Sequence, residues 1–129
     1  MANYEKHTRT LMSNYQFIDL TYLEEMSGGD SATRKVLLQS LLDELDRGVP
    51  HLRQLYNAKK WKDLSAACHH MKSTLSFAGN DSMIRANQQL WQFAQRASGP
   101  TRQAEAALNF IEAHCRQAKK EIQDALRRS

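Results

Sequence analysis

The sequence predicts an all-α fold: an antiparallel, up-down-up-down four-helix bundle with a short extra helix at its N-terminus. Three observations predict it. Apolar residues recur at spacings of three and four along four long stretches, the period of a helix with one buried face. No stretch alternates apolar and polar residues as a half-buried strand does. Only 5 Gly and 2 Pro occur in 129 residues, too few for a turn-rich β fold, and most of them fall between the periodic stretches.

Taken in order, residues 1–15 are polar and expected to be loosely held, with a single bundle domain over residues 16–129. A first element begins around Asp19. Thr21 and Glu24 have capping-box spacing, and a short helix Tyr22–Met26 stops at Ser27-Gly28-Gly29. Asp30 or Ser31 caps the second helix, whose stripe is Leu38, Leu42, Leu45, Val49, Leu52 and Tyr56. Pro50 lies inside that stripe. It removes one backbone donor, which predicts a kink near Asp46–Pro50 or a break into two helices. The third helix runs from about Lys60 to Phe77 with Trp61, Leu64, Cys68, Met71 and Leu75 inward. Gly79 stops it, and Asn80 or Asp81 caps the next. The fourth stripe is Met83, Ala86, Leu90, Phe93 or Ala94, and Ala97, ended by Ser98-Gly99-Pro100. The fifth is Ala104, Leu108, Ile111, Cys115, Ala118, Ile122 and Ala125.

Bulk properties narrow the function classes. With 41% apolar and 25% charged residues, the chain has an ordinary globular balance and is long enough for a core without staples. No apolar run approaches the roughly 18–20 residues that span a bilayer, and residues 1–7 lack the apolar stretch of a secretory signal. The only cysteines, Cys68 and Cys115, sit inside helical stripes and read as small buried residues rather than a bridge. A cytoplasmic protein is expected. The net charge of +4 comes from the second half, where 9 basic side chains face 5 acidic ones, against 9 and 9 in residues 1–64. The excess is scattered, and no aromatic residues interleave with a basic stripe, so a nucleic-acid-binding bundle is disfavoured.

The informative segment is Cys68-His69-His70-Met71-Lys72-Ser73-Thr74-Leu75-Ser76-Phe77-Ala78-Gly79. At 100° per residue, His69 and His70 each fall about 130° from the centre of the apolar stripe, on opposite flanks. Neither is a core position. On the His69 flank lie Ser65, Lys72, Ser73 and Ser76, with Lys72 and Ser73 at i+3 and i+4. His70 has Ser73 and Thr74 at those offsets and no cation. An exposed neutral imidazole, ordinary pKa about 6.5, is a competent nucleophile at neutral pH. A phosphoryl group on it would carry a charge of about −1.5 to −2, which Lys72 can stabilise as a point charge. Small neighbours leave the ring open to a large partner.

These residues resemble the motif of the histidine phosphotransfer (HPt) domains, H-x-L-K-G-S with a Gly ten residues after the His, carried on a four-helix bundle. His69 takes the phosphoryl-carrying position, Met71 the apolar one, Lys72 the lysine and Gly79 the downstream glycine. The run from Phe17 to Asp30 resembles the opening helix of bacterial HPt domains, notably those attached to hybrid sensor kinases. The kinked second helix and Trp61 fit the same pattern, and the resemblance covers roughly residues 16–97. It implies a phosphocarrier in a two-component phosphorelay rather than a self-sufficient enzyme. A response-regulator receiver domain, or a hybrid sensor histidine kinase, supplies the phosphoryl group to His69, and a second receiver takes it. The carrier needs no cofactor of its own, since Mg²⁺ is held by the receiver. A monomer is expected, and the start at Met1 suggests a free-standing protein. One departure is Ser73, where most of the family has Gly. Serine stays small, suits a helix better, and can donate to a phosphoryl oxygen, so function should survive with some change in partner choice. His70 is a bystander or a minor acceptor.

Two rival readings remain. One is a metal site drawn from Cys68, His69, His70, His114 and Cys115, which the 100° step between adjacent helix positions opposes. The other is a bundle that docks partners without transferring phosphate.

Overall fold

The structure, a computed structural model, describes residues 15–129. Among these it contains five α-helices and no strand: α1 (Thr21–Ser27), α2 (Ser31–Asn57), α3 (Trp61–Ala78), α4 (Asp81–Arg96) and α5 (Arg102–Arg128). The four long helices contact one another in a closed ring, α2 with α3, α3 with α4, α4 with α5, and α5 back with α2, while α1 sits on α2 and α3. One apolar cluster runs through all five, with Leu23, Leu38, Leu45, Leu52, Leu64, Leu75, Met83, Leu90, Leu108 and Ile111 fully buried. Burying a side chain of this size contributes about 1.5–3 kcal/mol, so the core supplies most of the drive to fold.

The stripes account for this packing. Every predicted α5 position, from Ala104 to Ala125, is buried. In α2 the buried face is wider than predicted, adding Leu41 and Leu55. Pro50 interrupts only its own donor, and the helix is continuous from Ser31 to Asn57, so it does not break in two. Asp30 caps α2, accepting from the Thr33 amide at 2.9 Å. Asn80 caps α4 through Met83 in the same way. Gly48, one turn into the middle of α2, lets the end of the Met71 side chain lie where a Cβ would stand.

Two expectations are corrected. The capping box does not form: Thr21 is already helical, Asp19 Oδ1 accepts from its amide and hydroxyl, and Glu24 instead pairs with Arg34 at 2.6 Å. Ala97 is not in the core; it closes α4 in the left-handed region at φ 53° and is exposed. Of the N-terminal segment expected to be loosely held, only residue 15 is among the described residues, and residues 1–14 lie outside them. The Tyr15 hydroxyl donates to Asp124 Oδ2 at 2.8 Å, and burial chiefly, then that bond, pushes its pKa up to about 12.

Both ends of α3 are pinned. At its start Trp61 meets Phe93 edge-on at 5.2 Å and Tyr56 at 5.8 Å, joining α2, α3 and α4. At its end the chain before α1 crosses over. The Asp19 amide donates to the Ala78 carbonyl at 2.9 Å, and Asn80 Nδ2 donates to the Phe17 carbonyl at 2.9 Å. The amides of Gln16 and Phe17 donate to the Glu121 carboxylate of α5. Gly79 closes α3 at φ 74°. A Cβ there would fall 2.8 Å from Asp19 Cβ and closer still to its carbonyl oxygen, so the site needs glycine twice over.

Candidate functional site

Mid-α3, the two adjacent histidines are both exposed and part company. His69 opens towards α4. It shares with Lys72 a cleft of about 290 Å³ whose other walls are Cys68 on α3 and Ile84, Asn87, Gln88 and Trp91 on α4. His70 opens towards α2, into a groove lined by Glu44, Arg47, His51 and Thr74, which continues past Lys60 and Asp63. The turn geometry read from the sequence thus separates the rings into two environments. Among the described residues, the His69 cleft has one cation and no carboxylate in its walls, and the His70 groove has both signs.

The predicted neighbours behave differently from one another. Lys72 and Ser73 are exposed beside His69. Met71 is buried against α2. Ser65 is almost fully buried, and its hydroxyl accepts from Gln95 Nε2, which covers it; it is not an open hydroxyl. The Ser76 hydroxyl donates back to the Lys72 carbonyl at 2.9 Å. Gly79 lies ten positions along α3 and acts on the crossing chain, not on the cleft. Thr74 is buried, and its hydroxyl donates to Glu44 at 2.8 Å on the His70 side.

The rest of the cleft was not read from the sequence. Ile84, Asn87, Gln88 and Trp91 come from α4, and only Asn87 left a local signal. It is a polar residue four positions after Met83 and three before Leu90, inside the apolar register. Asn87 is 3% exposed. Its Nδ2 donates to the Cys68 carbonyl at 2.9 Å, and its Oδ1 is buried without a hydrogen-bond partner.

Neither thiol is reactive in this setting. Burial pushes Cys68 up to about 12 and Cys115 up to about 11, so neither is a thiolate near neutral pH. Among the described residues no group of three or more His, Cys, Asp or Glu side chains is placed to hold a metal ion. No helix among them is long and apolar enough to cross a membrane.

Chemically, the cleft offers an accessible imidazole, an ammonium one turn away on the same face, and partly buried apolar walls. No protein-family model, no curated protein and no solved structure matches this chain.

Proposed function

We propose that the chain is a phosphocarrier of the histidine phosphotransfer kind, with the closed ring of α2 to α5 as an antiparallel four-helix bundle and α1 as its extra N-terminal helix. The single observation that supports this most is the pairing of exposed His69 with Lys72 in one cleft that no carboxylate among the described residues lines. A developing phosphoryl charge meets a cation there and no anion. The chain works in the cytoplasm between receiver domains.

In the forward step the unprotonated ring nitrogen of His69 attacks the phosphorus of a receiver's aspartyl phosphate. The nitrogen–phosphorus bond forms from the ring lone pair as the phosphorus–oxygen bond breaks. The aspartate leaves as a carboxylate with that electron pair, and the other ring nitrogen keeps its proton. The reverse step on a second receiver restores neutral His69. Lys72 faces the phosphoryl oxygens, and Ser73 is small enough to let a receiver approach and can donate to them. Mg²⁺ on the receiver supplies the charge neutralisation for leaving and attacking oxygens. The nucleophile, its positioning and charge stabilisation are then all this chain has to contribute.

The test is to mix the protein with a phosphorylated receiver domain and follow acid-labile, base-stable phosphate. His69→Gln should remove most incorporation, leaving at most a minor share on His70, while His70→Gln keeps most of it. Normal incorporation by His69→Gln refutes the reading. A wild-type chain that binds receivers but never accepts phosphate makes it a docking bundle.

A further inference from the structure

We infer that the cleft between α3 and α4 binds a small aromatic anion, one ring carrying one acidic group, and that the bound molecule shields His69 from a receiver. The binding half stands without the phosphocarrier reading; the shielding half rests on it.

Transfer from a receiver needs an open ring and a cation beside it, since the phosphoryl group arrives on the receiver's own aspartate. It has no use for the space below the ring. The cleft nevertheless measures about 290 Å³, at the low end of the volumes that hold small molecules. Its apolar walls are Ile84 and Trp91, seven residues apart on one flank of α4 and both half-buried. Trp91 differs here from Trp61. Trp61 meets Tyr56 and Phe93 edge-on, whereas Trp91 makes no ring contact among the described residues. An indole that packs on the core with one part and lines a cleft with another is a ready surface for a second ring.

Size limits the ligand. The Gln95 amide donates to the Ser65 hydroxyl across the two helices. Gln95 is one turn beyond Trp91 on α4, and Ser65 is one turn before His69 on α3, so this bridge bounds the cleft at that end. From Ser65 to Lys72 is seven residues, roughly 10 Å of helix. That length and volume suit one ring and one acidic group, not a nucleotide.

Charge sets its direction. Lys72 is a cation in the walls, and no carboxylate among the described residues lines them. The innermost wall includes Asn87, 3% exposed, with Nδ2 taken by the Cys68 carbonyl at 2.9 Å and Oδ1 without a partner. That wall has an uncompensated acceptor and no free amide donor, so it disfavours an anion. The acidic group therefore stays at the mouth on exposed Lys72, and the ring lies along Ile84 and Trp91. Lys72 and His69 are three residues apart on one helix face, so an anion held on Lys72 stands in the approach to the imidazole.

The probe is phenylphosphonate, whose carbon–phosphorus bond prevents it from donating a phosphoryl group. NMR of the unphosphorylated protein should show a saturable shift of the Trp91 indole N–H, with the Trp61 indole unmoved. Inorganic phosphate, which lacks the ring, and benzyl alcohol, which lacks the charge, should each bind at least tenfold more weakly. Lys72→Ala, a change at an exposed position, should weaken phenylphosphonate about tenfold. No saturable shift at Trp91, equal binding of inorganic phosphate, or unchanged affinity in Lys72→Ala overturns the site. Phosphate acceptance from a receiver should then fall with the same concentration dependence as the Trp91 shift. Full acceptance at saturating phenylphosphonate overturns the shielding. If the wild-type chain accepts no phosphate without the probe, the phosphocarrier reading falls and the shielding with it, while the Trp91 shift still decides the site.

Discussion

Replacing Gly79 by alanine should destabilise the protein far more than the same change at Gly28, although both glycines close a helix at positive φ. Gly28 has φ 63° and open space where a Cβ would go. Its alanine variant should lose only the left-handed penalty, about 1 kcal/mol. Gly79 has φ 74° and a Cβ position 2.8 Å from Asp19 Cβ. To the same penalty is added the overpacking cost of forcing backbone apart, about 1–3 kcal/mol. The chain that must yield carries Ile18 and Leu20, both buried, and the bonds from Asp19 to Ala78 and from Asn80 to Phe17. A total of about 3 kcal/mol follows for Gly79→Ala. With a urea m-value of about 1–3 kcal/mol/M for a protein of this size, the midpoint should fall by about 1–3 M, roughly three times the shift of Gly28→Ala. Ten residues of α3 separate Gly79 from His69, about 15 Å along the axis, so phosphate acceptance below the unfolding transition should be unaffected. Equal midpoints for the two variants would show that the crossing chain does not press on Gly79, and the structural account of this motif position would fall.

Three further outcomes follow from the structure. Glu112 pairs with Arg53 at 2.6 Å, and that hydrogen bond, ahead of the opposing effect of burial, holds its pKa below the usual 4.5. A depressed carboxylate stabilises the fold above its unfolded pKa and loses that contribution as pH falls through the folded value, so Glu112→Gln should flatten the acid limb of a stability–pH curve below about pH 4.5 by up to ~1 kcal/mol, the pair being partly exposed. Lys72→Ala should leave the unfolding free energy within about 0.5 kcal/mol of wild type, because Lys72 is exposed, yet slow phosphate acceptance roughly tenfold, the loss of one charge-assisted contact; a normal rate would remove Lys72 from the site. Cys68 and Cys115, buried and with raised pKa values of about 12 and 11, should react with a thiol reagent only at the rate of unfolding, and fast labelling of the native chain would contradict their burial.

Local chemistry was legible where one segment decides the outcome alone. The α5 stripe, the Asp30 and Asn80 caps and the Gly79 stop each depend on residues within a turn of one another, and all appear in the structure. Thr21 and Glu24 failed for the opposite reason. Glu24 could reach back to a cap or across to Arg34, ten residues on in another helix, and only the docking of α1 on α2 decides it. The same holds at the site. Periodicity gave His69 and Lys72 a common face, because both lie on α3. It could not give the α4 wall, since the register between two helices is set by what packs between them. Asn87 was visible as a polar residue in an apolar row, but its partner, a backbone carbonyl 19 residues away, has no sequence signature.

That split between neighbouring rings is itself testable, because the phosphoryl group carries enough charge to sense it. On the His69 side Lys72 is a charged wall residue, and no acid among the described residues lines the cleft. On the His70 side Glu44 and Asp63 stand with Arg47 and Lys60, so attraction and repulsion largely offset. Two unit charges about 4 Å apart interact by about 1 kcal/mol in water and more near a protein surface. With the phosphoryl group close to doubly charged, Lys72 should favour His69 over His70 by about 1–2 kcal/mol, or roughly 5- to 30-fold in occupancy. His70→Gln should therefore keep most phosphate incorporation, and His69→Gln should retain at most about a sixth, on His70. The preference should also be sensitive to salt, since both rings are exposed. Raising ionic strength should narrow the ratio, and Lys72→Ala should narrow it at any ionic strength. A ratio that neither salt nor Lys72→Ala alters would mean that access, not charge, selects the ring, and the electrostatic account of the cleft would have to be given up.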